Sequence, residues 1–154
     1  MPILLTYARL QLVGKDGQPF RALPLFQVSA SSTGEPVLID PFPVMQLYFR
    51  TSGFRLAPTY AKVYPGMTVA DKGIGLDPTY YGLYETIYSG KPLPTTEMRR
   101  RGLPEGIIDP GGRVEGFLFF EELPRSAKPA MLRYELVNVQ TGESIGTLQA
   151  ALDD

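Results

Sequence analysis

The sequence predicts an all-β antiparallel sandwich or barrel with a short helical insertion at about residues 77–103. Three observations point there. Segments near both ends of the chain alternate apolar and polar residues with period two, the pattern of half-buried strands. The 16 glycines and 15 prolines are spread along the chain as turn punctuation rather than pooled in one tract. One stretch, LDPTYYGLYETIYSGKP at 76–92, breaks the β pattern with helix start and stop residues. With 154 residues, the chain is expected to form a single domain, 1–154, with enough length for a substantial core.

The first element is a strand over residues 3–13, with Leu4, Ala8, Leu10 and Leu12 on one face and Tyr7, Arg9 and Gln11 on the other. Asp16-Gly17 is a hairpin signal. Residues 20–30 resume as a strand, with Pro24 at an edge or bulge because proline cannot donate to a ladder. After the turn SSTGEP, residues 37–50 give one or two strands broken around Asp40-Pro41, with Met45, Leu47 and Phe49 on one face. Short strands follow around a turn at Tyr64-Pro65-Gly66-Met67, where Pro second and Gly third suit type II.

The insertion comes next. Asp77 suits an N-cap, Pro78 the first helical position and Gly90 the position past the end. Tyr80, Tyr84 and Tyr88 recur every four residues, beside Leu83 and Ile87, which fits about three helical turns. Gly82 inside them costs roughly 1 kcal/mol against alanine. The stripe Tyr80, Tyr84 and Tyr88 is expected to pack on the sheet, and Tyr81, about 100° away around the helix, to face outward. A second short helix is predicted in TTEMRRR, capped by Thr95 or Thr96 and stopped by Gly102.

From residue 107 the pattern is β again. A Pro110-Gly111-Gly112 turn is expected to feed an apolar strand containing FLFF. AMLRYELVNV alternates, with Leu132, Tyr134 and Leu136 on one face. QTGE turns the chain into a last strand with Leu148, Ala150 and Leu152 on one face.

Composition excludes several chemistries. There is no cysteine, so disulfides, thiolate metal sites and cysteine nucleophiles are out. There is no histidine, which removes the commonest general base and metal ligand. A net charge of -1 is no footprint for nucleic acid. The apolar start, MPILLTYARLQL, is too short for a signal peptide or membrane span, and no membrane span is expected elsewhere. Glu121 and Glu122 are neighbours, which on a strand point to opposite faces and cannot flank one bond. Asp71, Asp77 and Asp109 sit beside turn residues, where capping explains them. No motif links Lys62, Lys72 or Lys91 to a serine, and neither GKDGQ nor DKGIG has phosphate-loop spacing. No catalytic residue, cofactor or metal is expected.

The C-terminal third, IIDPGGRVEGFLFFEEL followed by LRYELVNVQTGESIGTLQAAL, resembles the closing strands of immunoglobulin-like sandwich domains of unknown function in bacterial cell-envelope proteins and lipoproteins. The matching positions are Pro110, Gly111, Gly116, Phe117, Leu118, Phe119, Phe120, Leu132 and Tyr134, over about 45 residues. The resemblance implies an immunoglobulin-like sandwich in a periplasmic or envelope setting and carries no catalytic residues. The expected role is a non-catalytic interaction or structural domain, with another envelope protein or a glycan as partner. Its expected contact surface is Tyr81, Tyr84 and Tyr88 together with Arg99, Arg100 and Arg101, whose forks suit an acidic partner. A carbohydrate-binding module with a tyrosine platform is the second expectation. An enzyme using carboxylate, tyrosine or lysine chemistry is the third.

Overall fold

The computed structural model describes residues 1–25, 28–30, 36–38, 51–60, 64, 66–71, 80 and 95–152. They form mostly antiparallel β-sheet with very little helix. The strands are β1 (Ile3–Leu5), β2 (Leu10–Val13), β3 (Pro19–Arg21), β4 (Val28–Ala30), β5 (Pro36–Leu38), β6 (Thr51–Leu56), β7 (Gly106–Val114), β8 (Met131–Asn138) and β9 (Ser144–Ala151). Thr96–Arg101 forms an α-helix, α1, and three short 3₁₀ turns lie at Tyr7–Arg9, Pro58–Tyr60 and Arg125–Ala127.

β8 organises the main sheet of seven strands. Along one edge it pairs with β9, from Met131↔Ala151 to Val137↔Ser144. Its other edge is shared. β2 takes Met131 to Tyr134, and β1 takes Val137 and Asn138. The two then diverge, β2 pairing onward with β3 and β1 with β7, which pairs with β6. β4 and β5 form a separate antiparallel pair.

This branching corrects the first predicted strand. Residues 3–13 are two strands separated by a 3₁₀ turn at Tyr7–Arg9. The turn rotates the chain, so Tyr7, expected to face outward, is fully buried. Strict alternation cannot register a half-turn inserted mid-strand. The predicted strand over 20–30 is likewise divided. β3 ends at Arg21, buried Pro24 follows, and β4 belongs to the other sheet.

The Asp16-Gly17 hairpin forms as expected. Gly17 has φ +85°, and Asp16 Oδ1 accepts from the Gln18 N–H at 3.1 Å. Gly66 has φ +87°, the left-handed value that the third position of a type II turn requires. α1 is capped by Thr95, whose Oγ1 accepts from the Met98 N–H at 3.2 Å. At its end Gly102 has φ -65°, so glycine is needed there for space rather than for conformation. A Cβ at Gly102 would meet both Leu25 methyls and, at 2.7 Å, the Met98 carbonyl oxygen.

Two expectations for the later chain are overturned. Pro110-Gly111-Gly112 does not end a segment but lies within β7, which bulges there opposite Gly53. The FLFF run is not a strand. It crosses between two elements, Phe117 exchanging backbone hydrogen bonds with Arg101 and Leu103 while the Phe119 carbonyl accepts from the Leu23 N–H. Its apolar character comes from lining the core, where Leu118, Phe119 and Phe120 pack as partly buried residues. β8 and β9 and the turn between them lie where the sequence puts them. Asp40-Pro41, Met45, Leu47, Phe49 and nearly all of the tyrosine insertion lie outside the described residues.

The core joins both branches of the sheet to α1. Leu5, Leu10, Leu25, Phe54, Leu56 and Met98 meet there with four buried tyrosines, Tyr7, Tyr60, Tyr64 and Tyr80. Each ring removes on the order of 150–250 Å² from water. Each hydroxyl also needs a partner, because an orphaned one costs about 1–3 kcal/mol. Tyr7 donates to the Leu103 carbonyl at 2.6 Å, Tyr64 to the Arg99 carbonyl at 2.7 Å and Tyr80 to the Ala22 carbonyl. Burial raises the Tyr64 pKa well above the ordinary phenol value, which keeps this donor protonated.

Gly102→Ala is expected to destabilise the fold by about 1–3 kcal/mol through overpacking against Leu25. Urea denaturation checks this, and a variant as stable as wild type would show that the α1 end has room to move.

Candidate functional site

The predicted arginine surface lies on α1. Glu97, in its first turn, pairs with Arg101 at 2.9 Å and Arg100 at 3.4 Å. These are i,i+3 and i,i+4 pairs along one helix face, and the cations sit at the favourable C-terminal end of the macrodipole. The Arg99 backbone carbonyl accepts from the Tyr64 hydroxyl at 2.7 Å, which ties the helix to the core. The Arg100 and Arg101 forks are both engaged by Glu97. Of the predicted tyrosine stripe, Tyr80 is described. Its backbone is helical, its ring meets Tyr7 edge-on with centroids 6.4 Å apart, and it is fully buried. Tyr81, Tyr84 and Tyr88 lie outside the described residues, as do Lys62, Lys72, Lys91 and Asp77.

Sequence reasoning did not single out Glu105, a buried carboxyl at the break between β1 and β2. Its Oε1 accepts from the Tyr7 N–H at 2.7 Å and from the Thr6 hydroxyl at 3.5 Å, and its Oε2 accepts from the Tyr60 hydroxyl at 3.4 Å. The chain break at residues 7–9 exposes a backbone donor to the core, and Glu105 satisfies it. Asp109, expected from its neighbours to cap a turn, does not. Instead it forms a bidentate pair with Arg55 across β6 and β7, at 2.7 and 3.0 Å. Asp109, chiefly through its hydrogen bond, raises the Arg55 pKa and holds the fork charged. Glu121 and Glu122 are exposed on irregular backbone after Phe120 rather than on a strand. Among the described residues no three metal-ligating side chains cluster.

The sheet itself builds a polar concavity of roughly 220 Å³ on the outward face of β3, β2, β8 and β9. Register explains its lining. Gln11 on β2 stands opposite Arg21 on β3 and Arg133 on β8, and Glu135 on β8 stands opposite Thr147 on β9. These side chains share a face because strand residues alternate sides. Arg9, which stays outward through the 3₁₀ break, donates to Glu135 at 2.6 Å. That hydrogen bond, with a second from Ser144, lowers the Glu135 pKa from its ordinary value. Gln11, Arg133 and Glu135 lie in alternating segments on the side away from the apolar residues, which is the pattern of an outward face. What brings them together is the pairing of β2 with β8, more than a hundred residues later, for which no local signal exists.

No protein-family model, curated protein or solved structure matches the chain in comparison. No helix among the described residues is long and apolar enough to cross a membrane.

Two outcomes are expected. Glu105→Leu should cost about 1–3 kcal/mol by orphaning the Tyr7 N–H, read as a fall in thermal midpoint, while Glu105→Gln, which keeps an acceptor, should cost less. Equal stability of the leucine variant would show the carboxyl to be dispensable. The Glu135 carboxyl is lowered in the folded state, so its contribution is present above the unfolded value of about 4.3 and is lost as pH falls through the lower folded midpoint. In ¹³C NMR titration, Arg9→Gln should move that midpoint upward. An unmoved midpoint would remove Arg9 as the cause.

Proposed function

We propose that this chain is a non-catalytic interaction domain of a cell-envelope protein, an immunoglobulin-like sandwich that associates through the outer edge of β9. The envelope setting and the immunoglobulin-like assignment rest on the sequence resemblance. The association rests on one observation. All eight residues of β9 are exposed on both faces, and among the described residues no strand pairs with its outer edge.

An open edge strand is a template for another strand, and natural sheets blunt such edges with lysine, proline or inward charges. β9, SIGTLQAA, carries none of these. Its apolar row continues the core face of β8, since Leu148 stands opposite Tyr134 and Ala150 opposite Leu132, yet Leu148 is 57% exposed. A second copy of this chain is the partner that fits. Antiparallel pairing about a two-fold axis lays β9 against itself, and a strand without charge brings no like charges together in that arrangement. The bulge near Gly146 leaves the stretch Thr147–Ala151 regular for pairing.

The glycan-platform reading has less support. Tyr80, the first member of the stripe, is buried against Tyr7 and hydrogen-bonded to Ala22, so it offers no face to a sugar.

Sedimentation velocity over a concentration series tests the proposal. The wild type should show a reversible dimer, and Leu148→Lys should shift it to monomer by placing like charges at the pairing edge, with circular dichroism unchanged. A wild type that stays monomeric up to several hundred micromolar, or a dimer untouched by Leu148→Lys, would overturn it.

A further inference from the structure

The outward concavity differs from the other charged features of the surface in the balance and freedom of its groups. Three guanidiniums, Arg9, Arg21 and Arg133, face one carboxylate, Glu135. Arg9 is committed to Glu135. No carboxylate of the described residues lies within ion-pair distance of Arg21 or Arg133. The Nε of Arg133 is closed to solvent and has no hydrogen-bond acceptor.

The register sets the spacing. Arg21 and Arg133 lie on the strands flanking β2, both opposite Gln11. Adjacent strands are about 4.8 Å apart, so the two backbones are about 10 Å apart with Gln11 between them. Arginine side chains are long enough to reach over the middle strand from both sides, and a planar fork matches two oxygens of one anion. The Gln11 amide and Thr147 hydroxyl add neutral donors around the same space.

We propose that this concavity binds a phosphate monoester, with Arg21 and Arg133 as its two forks and Gln11 beneath the anion. The lining leaves two positive charges after the Arg9–Glu135 pair is counted, and a phosphate monoester carries up to two negative charges at neutral pH. The volume of roughly 220 Å³ corresponds to about seven waters, more than the anion alone fills, so the esterified group enters as well. The standing Glu135 carboxylate disfavours ligands of higher charge in the same cup. The site takes one lining residue, Thr147, from β9, but its two arginine forks lie on β3 and β8 and do not depend on the edge pairing proposed above.

The test is ¹H–¹⁵N NMR titration of the full chain at constant ionic strength, following Gln11, Thr147 and the Arg133 Nε–H. The probes are glycerol 3-phosphate, inorganic phosphate, succinate and glycerol. Saturable shifts at these three groups are expected with glycerol 3-phosphate, weaker ones with inorganic phosphate and none with glycerol. Arg21→Gln and Arg133→Gln should each weaken binding roughly tenfold or more, as expected for loss of a charged hydrogen-bonding partner. Arg21 is exposed, so its variant keeps the test open if Arg133→Gln fails to fold. Arg113→Gln, an exposed arginine paired with Glu115 elsewhere, should leave affinity unchanged. Absence of shifts at millimolar glycerol 3-phosphate would overturn the proposal. So would equal binding of succinate, or an equal loss in Arg113→Gln, which would mark a general charge effect.

Discussion

The hydrogen bond from the Tyr7 N–H to the Glu105 carboxyl is the contact on which the arrangement of this sheet depends. A strand crossing residues 3–13 without interruption would present Tyr7 to solvent. The 3₁₀ turn at Tyr7–Arg9 instead leaves a backbone donor facing the core, a state that is stable only with an acceptor waiting there. Glu105 is that acceptor. Once the break is held, Tyr7 goes inward to bond Leu103, while Arg9 remains outward and meets Glu135. The core and the polar concavity are two sides of the same interruption.

The break also explains how one strand can join two branches. β8 offers a single edge to the N-terminal segment, yet β1 and β2 both use it because they diverge at residue 7. β1 leads into β7 and β6, and β2 into β3. Tyr134 on β8 strengthens the junction, its hydroxyl donating to the Leu4 carbonyl while its ring lies beside Leu10. Burial keeps that hydroxyl protonated by raising its pKa far above the ordinary value. Tyrosine hydroxyls thus do for this interior much of what a longer ladder would do, fixing the main chain of one element against the ring of another.

Local features were legible in the sequence. The Asp16-Gly17 and QTGE turns, the Thr95 cap and the alternation of β8 and β9 depend on neighbours within a few residues, and each lies where its spacing places it. The misreadings share a cause. Leu118–Phe120 is apolar because it lines the core, and composition alone does not distinguish that from a strand. Gly102 is the helix stop that the sequence predicts, and only the structure adds that the Leu25 side chain, far away in sequence, leaves no room there for a Cβ. The candidate site was legible only as single outward residues. Arg21, Gln11 and Arg133 become one cup through pairings that no local pattern encodes.

The position of β8 has a temporal side. It is the strand that three others require, and it lies near the late end of the sequence given. During synthesis at about 5–20 residues per second, β1 and β2 leave the ribosome several seconds before the edge they need. Val13 waits for Met131. Until then Leu4, Leu5, Leu10 and Leu12 form an apolar segment with no place to be buried, and the closing step must bridge most of the chain. High separation between partners slows such closure. In the nascent chain, therefore, the early strands are the ones a chaperone has most reason to hold, and release becomes productive only when the last hairpin is complete.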